Sequence, residues 1–204
     1  QVFLYNPNWW NGSVNKPLSI FFRNNTVVNN SVRTDKAGSN IQAAGLMVQG
    51  WQVGYIYSYN NLIWGNDIVG EDNNQQIRVE IDEQRLIYTS DYNNIQNFEN
   101  SDSYQFAGDN TVSFEPSMVD TVGGDYSLDN KSLLIGAGTK SLEGFSAPSK
   151  DILGNNRPNP SNSNPDIGAY ENSLAVSPYP KPVQKLVATG GNNSVTLSWS
   201  ANSS

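Results

Sequence analysis

Apolar residues in this chain fall into short runs, alternating or continuous, and the breaks between the runs are made by Asn, Gly and Asp. LSIFFRNNTVV from Leu18, AGLMVQGWQVGYIYSY from Ala44, NLIWGNDIV from Asn61 and QIRVEIDEQRLIYTS from Gln76 are rich in β-branched and aromatic side chains. Such runs read as strands, and no window sustains the 3.6-residue period of an amphipathic helix. The fold class predicted is all-β. In QIRVEIDEQ the alternation is clean: Ile77, Val79 and Ile81 share one face, and Arg78, Glu80 and Asp82 share the other. That strand has one wet side. In GWQVGYIYSY the residues of one parity are Trp51, Val53, Tyr55, Tyr57 and Tyr59, so one face is almost wholly aromatic.

A second pattern is laid over the first. The doublet Asn24–Asn25 in FFRNNTVVNN returns as Asn60–Asn61 and again as Asn93–Asn94, at steps of 36 and 33 residues. Self-similarity at a few tens of residues is the mark of a solenoid, in which each coil buries its inner face against its neighbours. Aligned on the doublets, Ile20 falls against Ile56 and Thr89, Thr26 against Leu62 and Ile95, and Asn30 against Asn66 and Glu99. Identical amides stacked one coil apart, at the ~4.8 Å spacing of neighbouring strands, can bond one another as well as the backbone. Asn also accepts the left-handed dihedrals needed where one strand turns into the next. The expectation is therefore stacked parallel strands from Leu18 to about Val122, with the six doublet asparagines as structural residues at the corners.

Composition sharpens this picture. The 204 residues are 37% hydrophobic with a mean hydropathy of -0.52, a thin core that suits a stack. A net charge of -7 argues against nucleic acid or an anionic membrane as partner, since both recruit clustered Lys and Arg. With no Cys and no His, thiolate and imidazole chemistry is absent. No apolar run approaches the ~20 residues of a membrane helix. The chain starts at Gln1 within what reads as folded sequence, which leads us to expect a piece of a longer chain. Ser173 to Pro182, with SPYPKP, reads as a Pro-rich linker.

From Phe114 the chain carries Pro116, Met118, Val119 and Asp120, then Gly124, Asp125, Tyr126 and Leu128, then Ser132, Ile135, Ala137 and Gly138. Asp151, Gly154, Arg157, Pro158 and the run DIGAYE from Asp166 to Glu171 follow. This stretch closely resembles the C-terminal end of secreted bacterial right-handed parallel β-helix proteins, in particular the choice-of-anchor Q domain proteins, and NNLIWGN is similar to a motif such helices carry shortly before their end. Leu134 and Gly136 depart from the family pattern at one turn. The resemblance implies a right-handed parallel β-helix over residues 1–172, comprising its C-terminal coils and closing segment, at an extracellular or bacterial cell-surface location. KLVATGGNNSVTLSWSA is similar to the opening of a fibronectin type III domain, with Leu186 to Ala188 and Val195 to Trp199 as its first strands and Trp199 as the core tryptophan. Residues 183–204 would then be a truncated sandwich, since the whole needs ~100 residues, and further domains of the same chain are implied partners. Within DIGAYE, Asp166, Ile167, Gly168 and Tyr170 are expected to be structural, with Ile167 and Tyr170 covering the apolar end of the last coil.

Candidate chemistry is sparse. Glu80 and Asp82 lie two residues apart on one strand face, hence ~6.7 Å between Cα atoms, a separation an inverting glycosidase would permit; a solvated charged face beside Arg78 and Arg85 explains them as simply. Arg33, Asp35 and Lys36 bring the residue types of a lyase into one loop, without a paired acidic cluster. Asp151, Asp166 and Glu171 could offer oxygen ligands to calcium, the one cofactor considered, although a salt bridge to Arg157 accounts for them equally. The aromatic face is more suggestive: Trp51, Tyr55, Tyr57 and Tyr59 are the expected ligand-binding residues. Tyr57 and Tyr59 would form an outward sugar-stacking platform unless a loop such as the one carrying Trp9 and Trp10 folds over it. The reading is a non-enzymatic extracellular scaffold for adhesion or glycan binding, with a polysaccharide or cell-surface glycan as partner. The alternative is a carbohydrate-active enzyme, a polysaccharide lyase or glycoside hydrolase, with its catalytic coils mostly outside this chain.

Overall fold

Three successive segments of the chain repeat the same series of short strands, and each series lies on the one before. The computed structural model describes residues 2–3, 18–33, 43–50, 53–69, 75–98 and 104–200. The first series is β1 (Val2–Phe3), β2 (Leu18–Arg23), β3 (Thr26–Val28) and β4 (Ser31–Arg33); the second is β5 (Leu46–Gly50), β6 (Gly54–Tyr59), β7 (Leu62–Trp64) and β8 (Asp67–Val69). The third is β9 (Ile77–Ile81), β10 (Leu86–Asp91) and β11 (Asn94–Ile95). Pairing is parallel throughout, in the orders β1–β5–β9, β2–β6–β10, β3–β7–β11 and β4–β8. The chain is thus all-β, with parallel strand sheets consistent with a β-helix.

Alternation along each strand decides what goes inside. Leu46 pairs with Ile77 and Val48 with Val79; Ile20, Ile56 and Tyr88 form one column, and Val27, Ile63 and Ile95 another. These residues make up most of the inner core, which Phe98, Phe106 and Ala107 close beyond the third series. Phe106 sits on the short 3-10 turn Tyr104–Phe106 with its ring 5.9 Å from Tyr88, edge to face. Ile77 and Val79 are buried, and Ile81 is half-buried, as their alternation predicts.

The asparagine doublets divide the corner between them. The first member takes left-handed dihedrals, with φ of 52° at Asn24 and 55° at Asn60, and the second is extended into a ladder. Asn25 donates from Nδ2 to Asn61 Oδ1 at 2.9 Å, and Asn61 donates to Asn93 Oδ1 at 2.9 Å. The same oxygens also accept the backbone N–H of Asn25 and Asn61. A second ladder runs from Asn30 to Asn66 and on to Gln76, beside a second left-handed column at Asn29, Gly65 and Asn97.

In the third repeat the register corrects the alignment by one residue. Asn61 lies against Asn93 and Leu62 against Asn94, a step of 32, so Thr89 faces Tyr57 and not Ile56. The left-handed position is held by Tyr92, with φ of 53°. Asn94 instead pairs upward, donating to Phe114 O and accepting Phe114 N–H, where residues around Val112 begin a further turn of the stack. Glu99, expected in the Asn30–Asn66 column, lies outside the described residues, and Gln76 takes that place.

The closing segment corrects the sequence reading more substantially. Ile167 and Gly168 do not lie over the end of the last coil but along the flank of the first two. Gly168 N–H donates to Asn60 O at 2.8 Å, and Gly138 N–H donates to Pro165 O at 2.9 Å. Asn60 and Thr139 exchange two bonds, each 2.8 Å, and Asn24 Nδ2 donates to Asp166 O. Gly168 has φ of 111°, and a Cβ there would stand 2.9 Å from Thr26 Oγ1, so glycine is required on both counts. The contact builds a second core outside the stack from Leu62, Leu128, Leu134, Ile135 and Ile167, all buried. Leu174 packs against it, so packing extends into the first residues of the expected linker.

Two antiparallel hairpins complete the described chain near its end: β12 (Met118–Asp120) with β13 (Asp125–Leu128), and β14 (Ser141–Leu142) with β15 (Phe145–Ser146). Beyond the Pro-rich stretch, β16 (Gln184–Gly191) and β17 (Ser194–Ser200) pair as a third, covering the predicted strands at Leu186–Ala188 and Val195–Trp199. Trp199 is 57% exposed in it, not buried as a core tryptophan would be.

Asn61→Leu is expected to lower stability by ~3 kcal/mol or more, because the Asn25 N–H and the Phe22 carbonyl both lose a partner at ~1–3 kcal/mol each; denaturant unfolding measures it. Tyr92→Asn should raise the melting temperature, since it places at a left-handed corner the residue that bears that conformation at least cost, a gain of up to ~1 kcal/mol.

Candidate functional site

The outer face of the sheet β2–β6–β10 is a grid set by register. Ser19, Tyr55 and Ile87 form its first row, Phe21, Tyr57 and Thr89 the second, and Arg23, Tyr59 and Asp91 the third. Phe21 and Tyr57 are offset-parallel with centroids 5.4 Å apart and planes 13° apart; Tyr55 and Tyr57 are at 6.3 Å and 11°. Strand pleating dictates this, since residues two apart on one strand and opposite across the pair point the same way. The Arg23 guanidinium lies 5.2 Å from the Phe21 ring centre, within cation–π range.

Part of the grid is covered; the loop carrying Trp9 and Trp10 lies outside the described residues, as does Trp51. The cover is the hairpin β14–β15. Its two-residue turn, Glu143–Gly144, has positive φ at both positions, the geometry that matches strand twist. The hairpin delivers Phe145 to 4.7 Å from both Phe21 and Tyr57. Tyr59 is fully buried beneath it and donates its hydroxyl to Phe145 O at 2.9 Å, while Arg23 bonds Ser146 O. Tyr59 is thus a structural anchor, which corrects its assignment to an outward platform. Tyr55 and Tyr57 stay half-buried, and Phe21 and Phe145 are each 37% exposed. Phe145 was missed at the sequence level, where SLEGFS carries only a Gly turn between two short apolar positions.

The acidic candidates do not converge. Glu80 accepts from Arg78 at 3.2 Å and from Gln49 at 3.2 Å. Asp82, past the end of β9, heads a turn and pairs with Arg85 at 3.4 Å. Each carboxylate has its own arginine. Arg33 is on β4, while Asp35 and Lys36 lie outside the described residues.

Asp151, Asp166 and Glu171 do come together, around Arg157. Arg157 Nε is 3.3 Å from Glu171 Oε2 with both side chains fully buried, and its Nη1 donates to the carbonyls of Asp166 and Gly168. Asp166 accepts the N–H of Gly136 at 2.7 Å and of Asn172 at 2.6 Å. Asp151 accepts from Leu153, Asn155 and Glu171 N–H. Glu171 accepts the N–H of Asn159 and Asp166. Every carboxylate oxygen thus faces an N–H donor, and a guanidinium already holds the cationic place, so this donor set does not fit calcium. Among the described residues no group of three acidic side chains is placed to hold a metal. The cluster instead folds the closing segment onto itself, so that Gly168 can present its N–H to Asn60.

Burial sets the electrostatics here. It pushes the Asp166 carboxyl up to about 7, against the bonds from Asn172 and Gly136, and the Glu171 charge adds to the rise. Glu171 is raised by burial in spite of Arg157. Asp151 stays below the ordinary range despite burial, because Asn155, Glu171 and Leu153 bond its ionised form.

No family model matches this chain, and no curated protein or solved structure matches it either.

Because Asp166 keeps its proton to about pH 7 when folded and releases it near ~4 when unfolded, its stabilising share is full below ~4 and is lost as pH rises through 7. Glu171 has the same sign. Thermal melts are expected to fall between pH 4.5 and 7.5, and Asp166→Asn should flatten that slope.

Proposed function

We propose that this chain is part of a non-enzymatic extracellular or cell-surface scaffold, a right-handed parallel β-helix of the choice-of-anchor Q type, that binds glycans on the outer face of β2–β6–β10. The observation that carries the reading is the row of near-parallel rings Phe21, Tyr57 and Tyr55. It is held rigid by strand register and flanked by Arg23 and Phe145. Rings whose apolar faces stay partly wet, with a polar tip, suit a sugar, whose C–H face packs on π-surface while its hydroxyls find donors and acceptors. Neither tyrosine hydroxyl is bonded among the described residues, so both are available. Preorganisation matters because a site on packed strands loses little side-chain freedom on binding.

Support for the fold comes from the parallel register and from the flank-docked closing segment, built from the residues that carry the family resemblance. Support for a fibronectin type III opening after the linker comes from β16–β17. There Val195, Leu197 and Trp199 alternate with polar residues along β17 and Ala188 lies opposite Leu197, which gives one apolar face of the kind a second sheet covers. An enzymatic reading gains nothing from Glu80 and Asp82, since each is neutralised separately.

Tyr55→Ala with Tyr57→Ala should keep the far-ultraviolet circular dichroism of the parent and lose its retardation on polysaccharide affinity gels. Unchanged retardation of the double variant would refute the site.

A further inference from the structure

On a different flank, where the closing segment meets β3, a cleft of about 250 Å³ remains open. One wall is Val28 of β3 with Asn30 at the corner beyond it; the other is Tyr126 of β13, Tyr170 and Ile152. We infer that this cleft is a second carbohydrate site, one that takes a single neutral pyranose ring. The inference rests on the glycan reading for its ligand class and on separate residues for its evidence.

Three features fix the chemistry. Among the described residues no charged side chain lines the cleft, so none of them would offset the desolvation of a uronate, sulfate or phosphate, which favours a neutral ligand. Tyr126 and Tyr170 both line it and are half-buried. Their hydroxyls make no hydrogen bond among the described residues, so each brings a ring for the C–H face of a sugar and a free polar tip. Asn30 is the end of an amide ladder. Asn66 Oδ1 accepts both the N–H and the Nδ2 of Asn30, but Asn30 Oδ1 receives no donor among the described residues. That oxygen is an acceptor left open by the architecture, at the lip of the cleft, where a sugar hydroxyl can fill it. Apolar walls with a few converging polar groups are the common make-up of a small-molecule site, here just below the ~300 Å³ at which the usual size range begins.

The size sets the affinity. A lone pyranose is expected to bind with a dissociation constant on the order of 1 mM, which saturation-transfer NMR detects. The probes are the methyl pyranosides of glucose, galactose and mannose, with glucuronate as the charged control, on the parent chain, Tyr126→Ala, Tyr170→Phe and the Tyr55→Ala/Tyr57→Ala variant. The expected result is transfer to at least one neutral pyranoside and none to glucuronate. That transfer should fall at least ~5-fold in Tyr126→Ala, weaken in Tyr170→Phe and persist in the Tyr55/Tyr57 variant. Transfer that is lost only in the Tyr55/Tyr57 variant would overturn the cleft while leaving the outer-face site intact. The absence of transfer to every neutral pyranoside, or equal transfer to glucuronate, would also overturn the cleft, and gel retardation separately decides the outer face.

Discussion

Each turn of this chain must reverse direction at a corner where the backbone cannot pair with itself, and asparagine amides resolve that problem. One amide at each corner runs along the stack. Asn25, Asn61 and Asn93 carry the N–H groups and carbonyls that the bend leaves over, Asn61 alone bonding Asn25 N–H, Phe22 O and Asn93 Oδ1. A buried backbone group without a partner costs ~1–3 kcal/mol, a large fraction of a domain's net stability. A core as thin as this one cannot absorb several such losses. The apolar columns Ile20–Ile56–Tyr88 and Val27–Ile63–Ile95 therefore depend on the amides beside them for their register.

The other amide of the doublet does different work. Asn24 and Asn60 adopt left-handed dihedrals, which turn their side chains away from the ladder and toward the closing segment. The corner thus has two addresses, one along the stack and one across it, written in adjacent residues. Through the second, the closing segment gains a bonded seam on the flank, and Leu62 and Ile167 meet in a core of their own. Arg157 and its carboxylates stand behind that seam and hold the segment's carbonyls in place. Truncated acidic side chains there would loosen the seam without touching the inner core. The hairpin that follows Thr139 carries Phe145 onto the outer face of β2 and β6, so the same docking that closes the flank also shapes the aromatic site.

The parallel stack, the asparagine corners and the wet face of β9 were legible in the sequence because they rest on local periodicity, of two residues along a strand and about three dozen between coils. What was misread depended on register or on distant chain. The third doublet looked equivalent to the others, yet Asn93 matches Asn61 and Tyr92 matches Asn60, because Asn94 stands at the place of Leu62, as the first residue of its strand, and bonds Phe114. No alignment anchored on identical letters detects that. Tyr59 had the parity of an exposed residue and is buried because a hairpin some 86 residues later in the chain lies over it. Likewise Ile167 was recognisable as a closing residue, but its apolarity is silent on whether it faces an end or a flank.

The left-handed corners recur at a fixed separation within each coil: Asn24 to Asn29, Asn60 to Gly65, and Tyr92 to Asn97, five residues every time. The loops elsewhere differ in length from coil to coil. The side between the corners is therefore a molecular ruler, and it divides the chain into segments that tolerate insertion and one that does not. A residue added between β6 and β7 or within β7 would throw both ladders out of step at once. An insertion after β8 or between β9 and β10 would be absorbed as a longer excursion from the stack. Foreign peptides grafted at those excursions would be displayed on a scaffold whose rungs stay in step.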